Sequence, residues 1–212
     1  MKAIRLSFWL LALPVVMAYR CPLVRRNTYR VALPWLVFTF TLVAIAGCQP
    51  REEPPKEAEM VLSVSSSAFG EGEVIPDRYT CQGQDVSPPI TWDEPPAGTL
   101  SLALILDDPD APVGVFNHWV IFNIPADSRE LPEAVPVQAE LPGGALQGKN
   151  DFGRTGYAGP CPPPGRPHRY QFTVYALDSL LDLEAGISKK QLLAAMQGHV
   201  LAQGGLSGRY QR

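Results

Sequence analysis

The apolar positions of this chain fall into short runs whose spacing changes along its length. Leu100 to Leu106 is apolar at every position but Ser101, which predicts a central strand. His118 to Ile124 alternates, placing His118, Val120, Phe122 and Ile124 on one face, and alternation of period two is the mark of a strand. Tyr170 to Leu177 alternates too, grouping Tyr170, Phe172, Val174 and Ala176, with His168 on the same face if the strand reaches back to it. Val61 to Ser67 predicts a further short strand. Pro95-Pro96-Ala97-Gly98 and Pro142-Gly143-Gly144 punctuate the runs as turns. Residues 61–212 therefore read as mostly β, with no internal repeat.

One helix stands out. Ser188 is a suitable N-cap and Gln191, three residues on, completes a capping box. Leu192, Leu193, Met196, Val200 and Leu201 form one apolar stripe, and Gly204-Gly205 predicts its end. The stripe packs on the sheets. His199 lies off it, as a surface residue.

Two more apolar runs lie upstream. Val31 to Ala46 follows the basic stretch Arg25 to Arg30 and ends in Ile45-Ala46-Gly47-Cys48. That order matches a signal segment, and small residues before a cysteine resemble a bacterial lipobox with Cys48 as the lipidated residue. A plain signal peptide and an uncleaved anchor are the alternatives. The earlier run, Leu6 to Ala18, is either a second hydrophobic segment or the mark of a true start downstream of Met1. Both runs fall short of the ~20 residues of a comfortable spanning helix. Residues 1–47 thus read as a leader, 48–60 as a polar, Pro-rich tether, and 61–212 as the domain. The implied location is the bacterial cell envelope, with the domain on the periplasmic or extracellular side and Gln49 compatible with outer-membrane sorting.

Composition narrows the class. The chain has 212 residues, 46% hydrophobic and 18% charged, enough for one domain with a core. Its 22 prolines argue against a helical bundle. Residues 1–47 hold six of the 18 basic residues and none of the 21 acidic ones, leaving 12 against 21, a net of −9, for the rest. That balance opposes nucleic-acid binding, which needs a basic face. Arg154, Arg166 and Arg169 still make a local basic patch. Outside the leader and lipobox only Cys81 and Cys161 remain. In an oxidising compartment they are a candidate disulfide; two separate buried thiols are the alternative.

The candidate chemistry lies in two proline loops. Asp107-Asp108-Pro109-Asp110-Ala111-Pro112 is the first, and Tyr157 to Tyr170, which contains Gly159-Pro160-Cys161-Pro162-Pro163 and His168-Arg169-Tyr170, is the second. Asn117-His118-Trp119 lies between them. Together they supply carboxylates, two of the three histidines and a tyrosine, a set suited to a small preformed pocket for an anionic group.

With Tyr79-Thr80-Cys81-Gln82-Gly83, Ser87-Pro88-Pro89 and Trp92, these motifs closely resemble the phosphatidylethanolamine-binding protein (PEBP) family, in its bacterial Raf-kinase-inhibitor-like branch, over about residues 61–212. The resemblance implies a β-sandwich of antiparallel sheets with peripheral helices. It also implies an anion pocket for phosphate, carboxylate or a phospholipid headgroup, formed by Asp108, His118, Gly159, His168 and Tyr170, with Asp110 and Pro112 shaping its loop. Eukaryotic members carry an extra C-terminal helix beside the pocket, whereas only Leu206 to Arg212 follows the predicted helix here. Ligand gating and kinase recognition are therefore not carried over.

The implied roles make chemical sense. His118 and His168 offer ring N–H groups, Tyr170 a phenolic O–H, and Gly159 a backbone N–H that can approach closely. Asp108 repels an anion directly but can accept from a histidine and fix its tautomer. Each residue also has a plainer reading: a core histidine, Asp107 as a strand-end cap, Asp110 in an Asx-turn, Tyr170 as core, and the arginines as solvent-facing or loop-bracing. Two other chemistries compete. One is a hydrolase with His118 or His168 as general base, but Gly205-Leu206-Ser207-Gly208 does not fit a Gly-x-Ser-x-Gly elbow. Cys161 is a conceivable nucleophile beside His168, opposed by its loop and its candidate disulfide. The other is a metal site of Asp108, Asp110, His118 and His168, although no compact zinc spacing appears. The favoured expectation is a non-enzymatic binding protein without metal or cofactor, attached to the membrane through its anchor. By analogy it inhibits or regulates a partner protein.

Overall fold

The structure, a computed structural model, describes residues 60–212. The leader, Cys21, the lipobox at Cys48 and the tether up to residue 59 lie outside the described residues. Among the described residues, nine strands and one α-helix follow in order: β1 (Met60–Val61), β2 (Val64–Ser65), β3 (Ile90–Trp92), β4 (Ser101–Asp108), β5 (Phe116–Pro125), β6 (Glu130–Leu131), β7 (Leu146–Gln147), β8 (His168–Leu177), α1 (Lys189–Met196) and β9 (Val200–Tyr210), with a short 3-10 helix at Asp77–Tyr79 between β2 and β3. Six strands form one sheet in the order β1-β9-β8-β4-β5-β7, and β2-β3-β6 form a second. Every pairing is antiparallel except β1 with β9.

The main core gathers Ile90, Trp92 and Leu131 of the small sheet with Leu104, Leu106, Trp119, Ile121, Tyr170, Phe172 and Val174 of the large one. A second core on Ala103, Ile105, Val120 and Phe122 is closed by Leu181, Ile187, Leu192 and Met196. Strand β4 is thus covered on both faces, which explains its near-continuous apolar run; each large side chain buried there contributes roughly 1.5–3 kcal/mol. The mostly β sandwich expected from the sequence is the observed fold.

Three local expectations need correction. The Val61–Ser67 run is broken into β1 and β2, which belong to different sheets. Helix α1 has the expected capping box, Gln191 N–H donating to Ser188, but stops at Met196. The chain then turns through Gly198 at φ 84°, a conformation that glycine adopts without the Cβ penalty. Val200 and Leu201 therefore open β9, and Gly204-Gly205 lies inside that strand.

The third correction concerns β5. Leu102 pairs with Ile124 but Leu104 with Ile121, and Leu106 pairs with Trp119 but Asp107 with Asn117. Each shift inserts one extra residue on β5, the geometry of a β-bulge. The first bulge contains Asn123 at φ 53°, whose side chain bonds Leu181 in both directions, at 2.9 Å each. It moves Ile124 to the opposite face from Val120 and Phe122. The second bulge adds His118 and breaks its expected alignment with Val120.

Candidate functional site

The C-terminal end of β4 lies between the N-terminal ends of β5 and β8, so Asp108, His118 and His168 arrive at one end of the large sheet. Side chains alternate along β4. Asp107 therefore turns toward α1, where it accepts from Lys189 Nζ at 2.6 Å and Asn117 Nδ2 at 3.1 Å. Asp108 turns the other way, toward His168.

Asp108 Oδ2 accepts from His168 Nδ1 at 2.8 Å, and Asp108 Oδ1 accepts from the Asp110 N–H at 2.8 Å. The Asx-turn thus belongs to Asp108 rather than to Asp110. His118 Nδ1 donates to Ala158 O at 2.7 Å. All three side chains are buried, at 2–3% exposure. Burial, the largest influence, pulls the His118 pKa below its ordinary 6.5; the Ala158 carbonyl, Asp108, the Gly159 backbone and Asp107 oppose it.

These residues line a cavity of about 180 Å³ with Ala111, Pro112, Val113, Phe116, Phe152, Cys161, Pro162 and Pro163. Phe116 and Phe152 meet edge-on at 4.7 Å, and both meet the His118 ring, at 5.3 and 5.5 Å. A polar floor of two imidazoles and a carboxylate thus lies under an apolar rim. A larger groove of about 580 Å³ runs along β8 and β9 beside Gln171, Thr173 and Ser207, with no histidine in its lining.

The second proline loop is held from outside the sheet. Cys161 is joined to Cys81 by a disulfide with Cα atoms 5.4 Å apart, so its sulfur is not a free nucleophile. Cys81 N–H donates to Pro160 O at 3.1 Å. Tyr157 donates its hydroxyl to Tyr79 O at 2.6 Å.

Several expected ligands have other partners. The Gly159 N–H donates to Asp85 Oδ1 at 2.6 Å, so it is engaged in fixing the loop rather than open to an anion. Gly159 is required there by close approach: a Cβ would run into the Tyr79 and Thr80 backbone and the Asp85 carboxylate. Asp110 receives the Arg169 guanidinium on both oxygens, at 2.8 and 2.9 Å, and the Arg169 N–H at 3.0 Å. Its carboxyl is held well below the usual carboxylate range, chiefly by Arg169. Asp110 and Arg169 brace the rim and do not line the cavity. Pro112 does line it.

Tyr170 is fully buried and stands edge-on to His118 at 5.3 Å. Its hydroxyl is sealed from solvent without a hydrogen-bond partner. It lies near Asp108 and the Cys161 backbone, and burial, followed by the Asp108 charge, pushes its pKa far above 10. Tyr170 thus packs at the cavity floor, against the His118 ring and beside Asp108. Among the described residues, no three His, Cys, Asp or Glu side chains converge as a metal site would require.

Phe116 and Phe152 were not anticipated. Phe116, two residues before His118, carried a strand-parity signal. Phe152 carried none beyond being an aromatic residue in a polar loop, nor did Asp85, whose partner is 74 residues away.

Comparison with known proteins agrees with this fold. The family model described as phosphatidylethanolamine-binding protein matches residues 65–211. A UPF0098 protein of Methanothermobacter thermautotrophicus is 55% identical over 151 residues, covering 71% of this chain and 99% of the relative. One of Aquifex aeolicus is 50% identical, covering 72% and 90%. A crystal structure described as a PEBP homologue of Chlamydia trachomatis superposes with a TM-score of 0.65 at 40% identity, covering 72% of this chain and 98% of that one. Escherichia coli YbcL, described as a member of the mammalian PEBP family, superposes with a TM-score of 0.67 at 34% identity, covering 71% and 98%. The matched residues include both proline loops and all three polar residues of the cavity floor: this chain belongs to the phosphatidylethanolamine-binding protein family.

Proposed function

We propose that this chain is a binding protein whose cavity captures a small ligand carrying a phosphate or carboxylate group, free or as a phospholipid headgroup. The observation that carries this reading is the pairing of two buried imidazoles with one carboxylate, Asp108, His118 and His168, on the floor of a cavity of about 180 Å³. That volume suits a headgroup-sized group rather than a whole lipid. The apolar rim excludes water and strengthens each polar contact inside. The braced loops lose little ordering entropy on binding.

The domain works outside the cytoplasm, tethered through Cys48, and acts without catalysis by presenting its ligand or by inhibiting or regulating a partner protein. The leader sequence supports export and anchoring. Engagement of Cys161 in a disulfide supports the non-enzymatic reading, since its sulfur is then not free to act as the nucleophile of the hydrolase alternative.

The test is an NMR titration of the histidine rings with phosphate and with phosphoethanolamine, using His168→Ala as control. Saturable shifts at His118 and His168 that disappear in the variant are expected. Their absence in the wild type would refute the ligand reading. Lipid anchoring has its own test: Cys48→Ala should abolish the lipid mass and release the protein from membranes.

A further inference from the structure

Strand β5 has a cavity at each end. Its first residues carry the histidine floor. Its last two, Ile124 and Pro125, open a second cavity of about 360 Å³, formed with β6 and residues 132–145. The run from His118 to Pro125 covers roughly 20 Å of strand, and the two cavities share no lining residue. The walls of the second are apolar: Ile124, Leu131, Val135, Leu141 and Ala145 are all buried.

The hollow is held open. Pro125, Pro132, Pro136 and Pro142 stiffen its lining. Ser87 accepts the Ala134 N–H on its carbonyl and the Val135 N–H on its hydroxyl, both at 2.9 Å. Gln147 Nε2 donates to the carbonyls of Pro136 and Gln138, both at 2.8 Å. Ala134 stands at φ 58°, a left-handed conformation that a residue with a Cβ keeps only where its surroundings impose it. A segment pinned in this way does not collapse onto the apolar walls, although protein interiors otherwise close-pack. A preformed apolar hollow with a few polar groups at its mouth is the usual form of a small-molecule site.

The charge at the mouth is of one sign. Asp127 and Glu130 line the cavity and are exposed. Among the described residues neither carboxylate has an ion pair or a side-chain hydrogen bond. Arg129, between them in sequence, is engaged by Glu94 at 3.4 Å and by the Ala126 and Ser128 carbonyls, and no basic residue lines the cavity. We propose that this cavity is a second ligand site, independent of the histidine floor, and that it takes a small amphipathic cation. The apolar body fills the hollow, where burial drives binding. The protonated amine meets Asp127 and Glu130, whose field is focused by the apolar walls. A neutral analogue gains the burial alone, and an anionic one meets like charge.

Three probes with one phenyl body separate these contributions: phenethylamine, phenethyl alcohol and phenylacetate, which at pH 7 are a cation, a neutral molecule and an anion. Each is titrated into the full chain held in lipid nanodiscs, which keeps detergent out of the cavity, and the methyl NMR signals of Leu131, Val135 and Leu141 are followed. The amine should give saturable shifts at these methyls and bind at least about fivefold tighter than the alcohol at low ionic strength, with phenylacetate weaker than both. In the double variant Asp127→Asn, Glu130→Gln, changed only at exposed positions, amine affinity should fall to that of the alcohol, while alcohol affinity stays as in wild type. Equal amine and alcohol affinities in wild type, or no saturable methyl shift with the amine, would overturn the inference. So would an amine preference that survives both substitutions. Phosphate shifts at His118, read in the same samples, should be unmoved by the amine, so failure at this cavity leaves the reading of the histidine cavity standing.

Discussion

Asp108 Oδ2 stands 2.8 Å from His168 Nδ1, with both side chains buried, and the other Asp108 oxygen holds the Asp110 N–H. One carboxylate therefore fixes both a ring tautomer and the turn of the first proline loop. Asp108→Ala would leave a buried donor, His168 Nδ1–H, and a part-buried one, the Asp110 N–H, without an acceptor. A loss of about 1–3 kcal/mol follows for each donor left unsatisfied, and roughly 2–4 °C in Tm per kcal/mol for a domain of this size. Thermal unfolding checks it; a Tm within 1 °C of wild type would contradict the arrangement.

Stability should also depend on the His118 ring. Its folded-state pKa lies below 6.5 because burial disfavours the charged form. Above pH 6.5 the ring is neutral in both states and adds no pH dependence. Below it, the unfolded chain takes up a proton that the folded chain resists, so stability declines as pH falls toward the folded pKa. Tm measured from pH 7.5 to 5.5 should fall less steeply in His118→Gln than in wild type. Equal slopes would remove His118 as the cause.

The Cys81–Cys161 bond spans 80 residues. Chain-entropy reasoning assigns a loop of that length about 4–5 kcal/mol through restriction of the unfolded state. It also ties a cavity-lining loop to the Cys81 turn. Cys81→Ser with Cys161→Ser should lower Tm substantially and reproduce the effect of reductant on wild type. If reductant left the wild-type Tm unchanged, the bond would not be a stabilising element.

Much of this arrangement was legible from residue patterns, because β4, β8 and the α1 cap depend on local spacing. Phe172, Val174 and Ala176 share a face as alternation requires, and Ser188 with Gln191 forms the box that its spacing predicts. The departures arise from long-range geometry. An extra residue at His118 and another at Asn123 shift β5 parity, and no local signal marks a bulge. The β9 positions Ala202, Leu206 and Tyr210 alternate, but Gly204 and Gly208 fill the places between them. Both glycines lie where a Cβ would strike a neighbouring segment, Leu62 and Ile75 respectively, so the packing that selects them also erases the hydrophobic pattern. At the site, the three residues of the floor were anticipated. Which donors remained free was not, because Asp85 and Ala158 enter only through the folded loops.

The two aspartates of Asp108-Pro109-Asp110 should separate cleanly in a binding assay. Asp108 lines the cavity and orients His168, whereas both Asp110 oxygens face Arg169 at the surface. The Asp110–Arg169 pair is largely solvated on the arginine side, and exposed pairs contribute little to stability. Asp110→Asn should therefore leave phosphate affinity within about twofold, while Asp108→Asn lowers it by about tenfold or more, as loss of a charge-assisted hydrogen bond predicts. A weakening by Asp110→Asn equal to that from Asp108→Asn would restore Asp110 to the ligand set. It would also mean that the Arg169 brace opens when the ligand enters.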